Sequence, residues 1–384
     1  MFERIKDVEH PEERMLSVFR EFGVVAKDSR ENINRTAENR AIYQLVHPGW
    51  LVANRMKAWQ GAVGISSLRG IVSGHYICFA PRHSEDERYL NWLLRSTVYT
   101  NGYALLSRGV RVGQAEIDND EFRRMPILLP PVEEQRAIAD YLDRETAQID
   151  TLISKQERLI AALRERRAAT INAALEQVGD DLVPLKRLAA VQSGVTLSGV
   201  GDPEDPEWPY LRVANVQVGY VDLSMVATVR ISATAASASL LRAGDVLMTE
   251  GGDIDKLGRG ALWSGGIEPM LHQNHVFAVR PGTRLSPEFL VYWLDGGTSR
   301  RYFRTTARKT TNLASTNKWT LGNLPVSCPP IEEQRRTAGY LDEQTAKIDA
   351  LIARTERFIE LSKERRTALI TAAVTGQIEV RNGG

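Results

Sequence analysis

A segment of 45 residues occurs twice in the chain, and this duplication limits the architectures that the remaining sequence can adopt. Residues 130–174 and 329–373 align without a gap, 199 positions apart, and 26 of the 45 positions are identical. Each copy begins with two prolines and two glutamates and has paired arginines toward its end. This is the polarity of a long helix, because the helix dipole favours negative charge at the N-terminus and positive charge at the C-terminus.

Apolar residues in both copies recur at alternating intervals of three and four residues, which is the spacing of a coiled-coil seam. A single helix would expose this apolar stripe to water, so we expect the two helices to pack against each other. The seam residues are Ile149, Ile153, Ile160 and Leu163 in the first copy, widened by Leu152 and Leu159, and Ile348, Ile352 and Ile359 in the second, beside Leu351 and Phe358.

A weaker similarity precedes each copy of the helix. Residues 75–81 and 275–281 are strand-like runs that begin with histidine and end with proline. Each run leads into a short amphipathic segment, at 89–94 and 289–294 respectively. The sequence therefore predicts two mixed α+β units, each followed by a long helix, in a tandem duplication.

The predicted boundaries follow from the two similarities. The second unit opens with the run Val183-Pro-Leu-Lys-Arg-Leu and a Gly-rich turn, Ser193 to Gly201, for which the sequence of the first unit shows no counterpart, so we expect the first unit to be short at its N-terminus. The predicted parts are a first unit at 1–129, a helix at 130–178, a linker at Gly179–Asp181, a second unit at 182–328 and a second helix at 329–378.

The composition is that of an ordinary globular protein, since 43% of the 384 residues are hydrophobic and 25% are charged. A run of about 18 apolar residues is absent, and the first residues are charged where an export signal would be apolar, so we predict neither a membrane span nor export. Cys78 and Cys328 are too far apart in sequence to indicate a disulfide framework, which favours the cytoplasm. The net charge is only +1, so any affinity for nucleic acid must come from a local patch.

Motifs of common catalytic sites are missing from the sequence. It has no GxSxG elbow, no GxGxxG after a strand, no GxxxxGK[ST] loop and no Asn-Pro-Pro-aromatic motif of the amino-methyltransferases. None of its ten lysines has an acidic residue two positions earlier, so the Asp/Glu-x-Lys part of a common nuclease site is missing. We therefore predict no catalytic residues in this chain.

His272 and His275 have a spacing that is compatible with metal ligation. Two histidines three residues apart can hold zinc, but no third ligand is evident nearby, so we predict no metal site. The alternatives are a polar loop that leads into a strand, or a loop in which Gln273 and Asn274 meet the edges of DNA bases.

Positive charge is concentrated in the second unit. Residues 256–318 contain ten Lys or Arg and three acidic residues, and residues 300–318 contain six basic residues and no acidic one. Cations interleaved with Thr, Asn and aromatic residues suit contacts to phosphates and base edges, although a solvated surface loop has a similar composition. The predicted DNA contacts are Lys57, Gln60, Arg108 and Arg111 in the first unit, and Arg259, Asn274, Arg300, Arg301, Arg304, Arg308, Lys309, Asn312 and Asn317 in the second.

Together these features resemble the specificity subunit of a type I restriction-modification system. The resemblance covers nearly the whole chain and is carried by the sequences LPPVEEQR at 129–136 and CPPIEEQR at 328–335, each followed by Ile-Asp-x-Leu-Ile and Glu-Arg-Arg. It implies two target-recognition domains that each read one half of a bipartite, asymmetric site in double-stranded DNA. It also implies that the two long helices pair antiparallel and dock two methyltransferase subunits.

The resemblance further implies that methylation and cleavage belong to partner subunits. S-adenosylmethionine, ATP and Mg²⁺ are then expected on the methyltransferase and endonuclease subunits, and this chain is expected to carry no cofactor. Two other classes of function stay open at this point. The chain could be a coiled-coil scaffold with incidental basic loops, or an enzyme with an unfamiliar site.

Overall fold

The computed structural model of the chain describes residues 1–29, 40–108, 115–179, 181–196, 204–309 and 313–380. The chain folds as two units. Unit 1 contains residues 1–157 and 356–384, and unit 2 contains residues 158–355. Each long helix therefore contributes one half to each unit. Within the described ranges, no helix combines the length and the apolar character that crossing a membrane requires.

Unit 1 contains short strands, three short helices and halves of the two long helices. The strands are β1 (Phe2–Arg4), β2 (Leu16–Phe19), β3 (Gly23–Ala26), β4 (Gln44–Val46), β5 (Leu51–Asn54), β6 (Val63–Ile65), β7 (Gly70–Val72), β8 (Tyr76–Pro81), β9 (Ser107–Arg108) and β10 (Glu116–Ile117). The helices are α1 (Glu87–Arg95), α2 (Thr97–Leu105), α3 (Asn119–Arg124) and the long α4 (Val132–Glu176).

The central sheet of unit 1 is antiparallel, with the strand order β1-β8-β5-β6. Its inner face packs on α1 and α2, where Leu51 and Phe79 of the sheet meet Leu90 and Tyr103 of the helices. The same core includes residues near the start of α4 and near the end of the second long helix, such as Leu142 and Ile370. In unit 1 the two long helices are thus antiparallel.

Unit 2 repeats this plan with additional strands. The strands are β11 (Leu182–Pro184), β12 (Ala189–Ser193), β13 (Glu207–Leu211), β14 (Ala227–Arg230), β15 (Val246–Thr249), β16 (Gly251–Gly252), β17 (Gly260–Leu262), β18 (Leu271–His272), β19 (Val276–Pro281), β20 (Arg308–Lys309), β21 (Ala314–Ser315) and β22 (Pro325–Ser327). The helices are α5 (Ala233–Ser237), α6 (Pro287–Asp295), α7 (Gly297–Thr306), α8 (Lys318–Gly322) and the long α9 (Ile331–Val374).

The central sheet of unit 2 has the order β12-β19-β15-β17, which corresponds strand by strand to the sheet of unit 1. Its core joins Val246 and Val279 of the sheet to Phe303 of α7. Leu175 near the end of α4 and Leu341 near the start of α9 lie in the same core. The two long helices are therefore antiparallel in unit 2 as well.

One fully buried glutamine joins the start of each long helix to its own unit. Gln135 accepts a hydrogen bond from the backbone N–H of Asp86 at 3.0 Å, and Gln334 accepts one from the N–H of Ser286 at 2.9 Å. Each amide also donates, at 2.8 Å, to the carbonyl of the first proline of the Pro-Pro pair. Since Asp86 and Ser286 are the N-caps of α1 and α6, the Pro-Pro-x-Glu-Glu-Gln sequence fixes each long helix to a short one.

Equivalent ion pairs also join the two long helices. Arg167 contacts Asp349 at 3.0 Å in unit 2, and Arg366 contacts Asp150 at 2.9 Å in unit 1. Arg366 lies 199 residues after Arg167, and Asp150 lies 199 residues before Asp349, so the duplication relates the two pairs. These two arginines near the helix ends are therefore engaged within the protein.

The buried stripe on the long helices is narrower than the sequence predicts. Most predicted seam residues are buried, and Ile153 and Ile352 are half-buried. The flanking leucines Leu152 and Leu159, with Leu351 and Phe358, are exposed. Leu152 precedes Ile153 by one position, which places it about 100° away around the helix. The prediction that Leu152 and Leu159 widen the stripe was therefore wrong for the buried surface, and Leu351 and Phe358, predicted to lie beside the seam, are exposed as well.

Candidate nucleic-acid interface

A two-stranded hairpin followed by a short helix precedes the long helix in each unit. In unit 1 this hairpin–helix element is β9, β10 and α3, and in unit 2 it is β20, β21 and α8. Both short helices begin with a side-chain cap, since Asp118 accepts from the N–H of Asp120 at 2.9 Å and Asn317 accepts from the N–H of Thr320 at 2.8 Å. The predicted contacts Arg111 and Asn312 lie outside the described residues.

The same backbone contacts anchor both hairpin–helix elements to their central sheets. The N–H of Ile117 donates to the carbonyl of Arg55 at 3.1 Å, and the N–H of Thr316 donates to the carbonyl of Glu250 at 2.8 Å. Arg55 and Glu250 hence occupy equivalent positions with opposite charges. Arg55 pairs with Glu116 of β10, whereas Glu250 accepts from Nδ1 of His275 at 2.7 Å. One scaffold therefore presents different side chains in the two units.

Unit 1 brings three of its predicted contacts to this element. Arg108 is exposed on β9. Lys57 and Gln60 are exposed at a single helical turn, Ala58–Gln60, which packs against α2 and β10. These side chains are available to a ligand because none of them is used in the core.

Unit 2 presents more positive charge around the corresponding element. Arg308 and Lys309 are exposed on β20, and Arg301 is exposed on α7. Arg304 is also exposed on α7 and makes a surface ion pair with Asp255 at 2.9 Å. The hydroxyl of Tyr302 donates to the carbonyl of Thr320 at 2.8 Å, which holds α7 beside α8. The cations of α7 therefore lie close to those of the hairpin.

Other predicted contacts have structural partners. Arg300 is buried, and its guanidinium donates to the carbonyls of Ile254, Asp255 and Leu257. Burial lowers the pKa of Arg300 to about 10. Because its donors hold the 254–257 loop, Arg300 is not part of the exposed set.

Arg259 and the two asparagines also have roles within the fold. Arg259 is half-buried and lies 3.3 Å from Asp295, which also pairs with Arg167. Asn317 uses its side-chain oxygen to cap α8. Asn274 is half-buried in the turn between β18 and β19, where its backbone N–H donates to the carbonyl of Val195 at 2.9 Å. Of these three residues, Asn274 has the side chain least committed to the fold.

The two histidines with ligand-like spacing have separate environments. His272 is fully buried, with Nδ1 2.7 Å from the carbonyl oxygen of Val276, and burial lowers its pKa. His275 is exposed and pairs with Glu250. Throughout the described ranges, His, Cys, Asp and Glu side chains form no cluster of three that could hold a metal ion. Residues 273–275 form the polar turn that leads into β19, whereas His272 is a buried residue of β18, so the polar-loop interpretation holds only for the last three residues.

Three further residues of these elements were not singled out from the sequence. Lys318 and Trp319 are exposed on α8, and Arg55 lies beneath the hairpin of unit 1. Alignment of the two Pro-Pro pairs places Lys318 and Trp319 opposite Asn119 and Asp120. That comparison would have indicated that the side chains differ in chemistry at two aligned positions.

Residues 44–160 match the family model of the type I restriction modification DNA specificity domain. This part of the chain is similar to a type I specificity domain. The resemblance to the specificity subunits of type I restriction-modification systems is thereby confirmed. The matched residues include three of the four strands of the central sheet of unit 1, β5, β6 and β8, together with the hairpin–helix element and the first part of α4.

Two relatives of the chain are both named as specificity subunits of type I restriction enzymes. The type I restriction enzyme EcoKI specificity subunit of Escherichia coli (strain K12) is 21% identical over 308 residues, which cover 74% of this chain and 64% of that protein. The putative type I restriction enzyme MjaX specificity subunit of Methanocaldococcus jannaschii is 24% identical over 170 residues, which cover 44% of this chain and 39% of that protein. The matches thus span less than two thirds of the length of either relative.

A solved structure has a similar fold. The structure comes from work on the structural basis underlying complex assembly and conformational transition of the type I R-M system. The match has a TM-score of 0.66 at 18% identity and covers 97% of this chain and 95% of that chain. The predicted fold class, two mixed α+β domains with two long helices, is confirmed.

Proposed function

We propose that this chain is a DNA-recognising specificity subunit of a type I restriction-modification complex. The observation that carries the proposal is the occurrence of one hairpin–helix element in both units with different exposed side chains. A shared scaffold with different contact residues suits the reading of two different DNA sequences. The recognised site is then bipartite and asymmetric, with one half for each unit.

The charge around the element in unit 2 supports double-stranded DNA as the ligand. Arg301, Arg308 and Lys309 are exposed, and such cations contact phosphates and release their counterions. Phosphate contacts position a protein on DNA, whereas contacts with base edges supply specificity. Asn274 lies in the turn next to His275, and His275 forms a hydrogen bond with Glu250. Glu250 lies between β15 and β16, and β16 pairs with β21 of the hairpin–helix element. The amide of Asn274 is a candidate for contact with an adenine edge.

Catalysis and the remaining partners follow as part of the same proposal. The chain is a non-catalytic cytoplasmic subunit that directs two methyltransferase subunits and an endonuclease subunit to the site. Exposed apolar residues on the long helices, Tyr340 and Leu351 within unit 2 and Phe358 and Leu361 within unit 1, are candidate docking points for the methyltransferase. S-adenosylmethionine, ATP and Mg²⁺ are then held by the partners.

The variant Lys309→Ala tests the DNA contact. We expect weaker binding to every DNA sequence, and a slope of log affinity against log salt that is smaller by about one, because one phosphate contact is lost. Dissociation constants of the complex with its methyltransferase, measured over a salt series with double-stranded oligonucleotides, give both quantities. Lys347→Ala is the matched control, because Lys347 lies on α9 and pairs with Glu343 at 2.6 Å.

Two outcomes would count against the proposal. If Lys309→Ala kept both the affinity and the salt slope, the basic residues of the hairpin would be an ordinary solvated surface. If the wild-type complex bound all DNA sequences equally, the chain would act as a coiled-coil scaffold and not as a reader of sequence.

A further inference from the structure

Trp319 differs from the other tryptophans of the chain in its environment. The chain has seven tryptophans, all within the described ranges, and the other six are buried or half-buried. Several of them donate the indole N–H within the fold, as Trp92 does to Asp143 and Trp293 does to the carbonyl of Pro325. Trp319 has 76% of its surface exposed. An indole in this position adds little to the core, and large aromatic side chains that are this exposed are typical of binding surfaces.

The surroundings of Trp319 are cationic. Lys318 is exposed immediately before it on α8. The hydrogen bond between Tyr302 and Thr320 holds α7, which carries the exposed Arg301, beside α8. The strand β21 ends at Ser315 and pairs with Arg308 and Lys309 of β20. An apolar ring therefore lies on a short helix whose neighbouring elements, α7 and β20, carry exposed cations.

The local backbone holds Trp319 in place. The side chain of Asn317 caps α8, and the carbonyl of Trp319 accepts hydrogen bonds from the backbone N–H and the side-chain amide of Asn323 at 3.1 and 2.9 Å. Because these bonds fix the main chain at Trp319, the entropic cost of binding a ligand to the indole comes mainly from ordering the side chain.

We propose that Trp319 is an apolar DNA contact of unit 2, which packs its indole against a base within the half-site that this unit reads. This inference rests on the proposed function and adds a residue to it. The cations around Trp319 position the phosphates, and the indole supplies a contact that carries no charge. Aromatic rings stack on bases or wedge between base steps, and neither contact changes the number of released counterions.

The corresponding position in unit 1 has the opposite chemistry. Asp120 is the second residue of α3, as Trp319 is of α8, and it is also exposed. A carboxylate repels phosphates and has no face for stacking. The two units therefore differ in charge and polarity at a position that the duplication aligns, and only unit 2 has an apolar side chain there.

The salt dependence of DNA binding separates this role from that of the cations. The probe is double-stranded DNA with the sequence that the complete system methylates in its host genome. For the full chain in complex with its methyltransferase, we expect Trp319→Ala to weaken binding to this DNA by about 5- to 150-fold, the range that base stacking provides. The slope of log affinity against log salt should stay that of the wild type, whereas Lys309→Ala reduces it. Trp319→Phe should keep most of the affinity, and Asp120→Ala should not weaken binding.

Indole fluorescence gives a second readout. Binding of the same DNA should quench the emission of the wild-type complex, and the quenching should be lost in Trp319→Phe. If Trp319→Ala bound like the wild type, or if the quenching persisted in Trp319→Phe, Trp319 would not contact DNA, although the proposed function would stand. A wild-type complex without sequence-specific binding would instead overturn the proposed function.

Discussion

Truncation of Leu341 to alanine is expected to lower the free energy of unfolding of unit 2 by about 2–5 kcal/mol. Leu341 is fully buried in the core of unit 2, in the same cluster as Ile171 and Leu175 of the antiparallel helix. The change removes three carbon atoms and leaves a cavity at the junction of both long helices with the sheet domain. Native-state hydrogen exchange of amides in unit 2, compared between variant and wild type, measures the loss directly.

Leu351→Ala is the matched control for this experiment. Leu351 lies on the same helix and in the same unit, but half of its surface is exposed. Its truncation should change stability by no more than about 0.5 kcal/mol. Leu142, the counterpart of Leu341 in the first copy, is fully buried in unit 1, so Leu142→Ala should destabilise that unit in the same way. Equal effects of Leu341→Ala and Leu351→Ala would contradict the packing described above.

The purified chain is expected to transfer no methyl groups to DNA. Its sequence lacks the motifs that bind phosphate or activate an amino group for methylation. Addition of the methyltransferase subunit should produce activity that requires S-adenosylmethionine and depends on the DNA sequence. Incorporation of labelled methyl groups into DNA measures this, with reactions that lack either subunit as controls. Methyl transfer by the chain alone would contradict the proposal that it acts only in recognition.

The long helices could be predicted from the sequence because their evidence extends over many residues. The match of 26 identities in 45 positions and the regular spacing of Ile149, Ile160, Ile348 and Ile359 both indicate paired helices. The burial of Gln135 and Gln334 could not be predicted in this way. Identity between the two copies marks a glutamine as constrained, but the backbone groups that it contacts belong to the turn before another helix.

The basic segment shows why counting charges is insufficient for assigning contacts. Arg300 and Arg301 are adjacent in the sequence, yet Arg300 is buried and Arg301 is exposed. They lie on α7 about 100° apart, and Arg300 shares the inner face with Phe303, three residues later. The apolar Phe303 indicates which face is inward once the helix is known. The carbonyl groups that satisfy Arg300 come from a loop that is more than forty residues away in the sequence.

The most direct test of the central claim is a map of methylated bases in the genome of a host that carries the complete system, before and after an exchange of one unit. The native map should show a bipartite motif whose two halves differ. Replacement of residues 182–328 by the corresponding unit of a relative should change one half and leave the other half and the spacing intact. A continuous motif, or an exchange that altered both halves together, would contradict independent recognition of DNA by the two units.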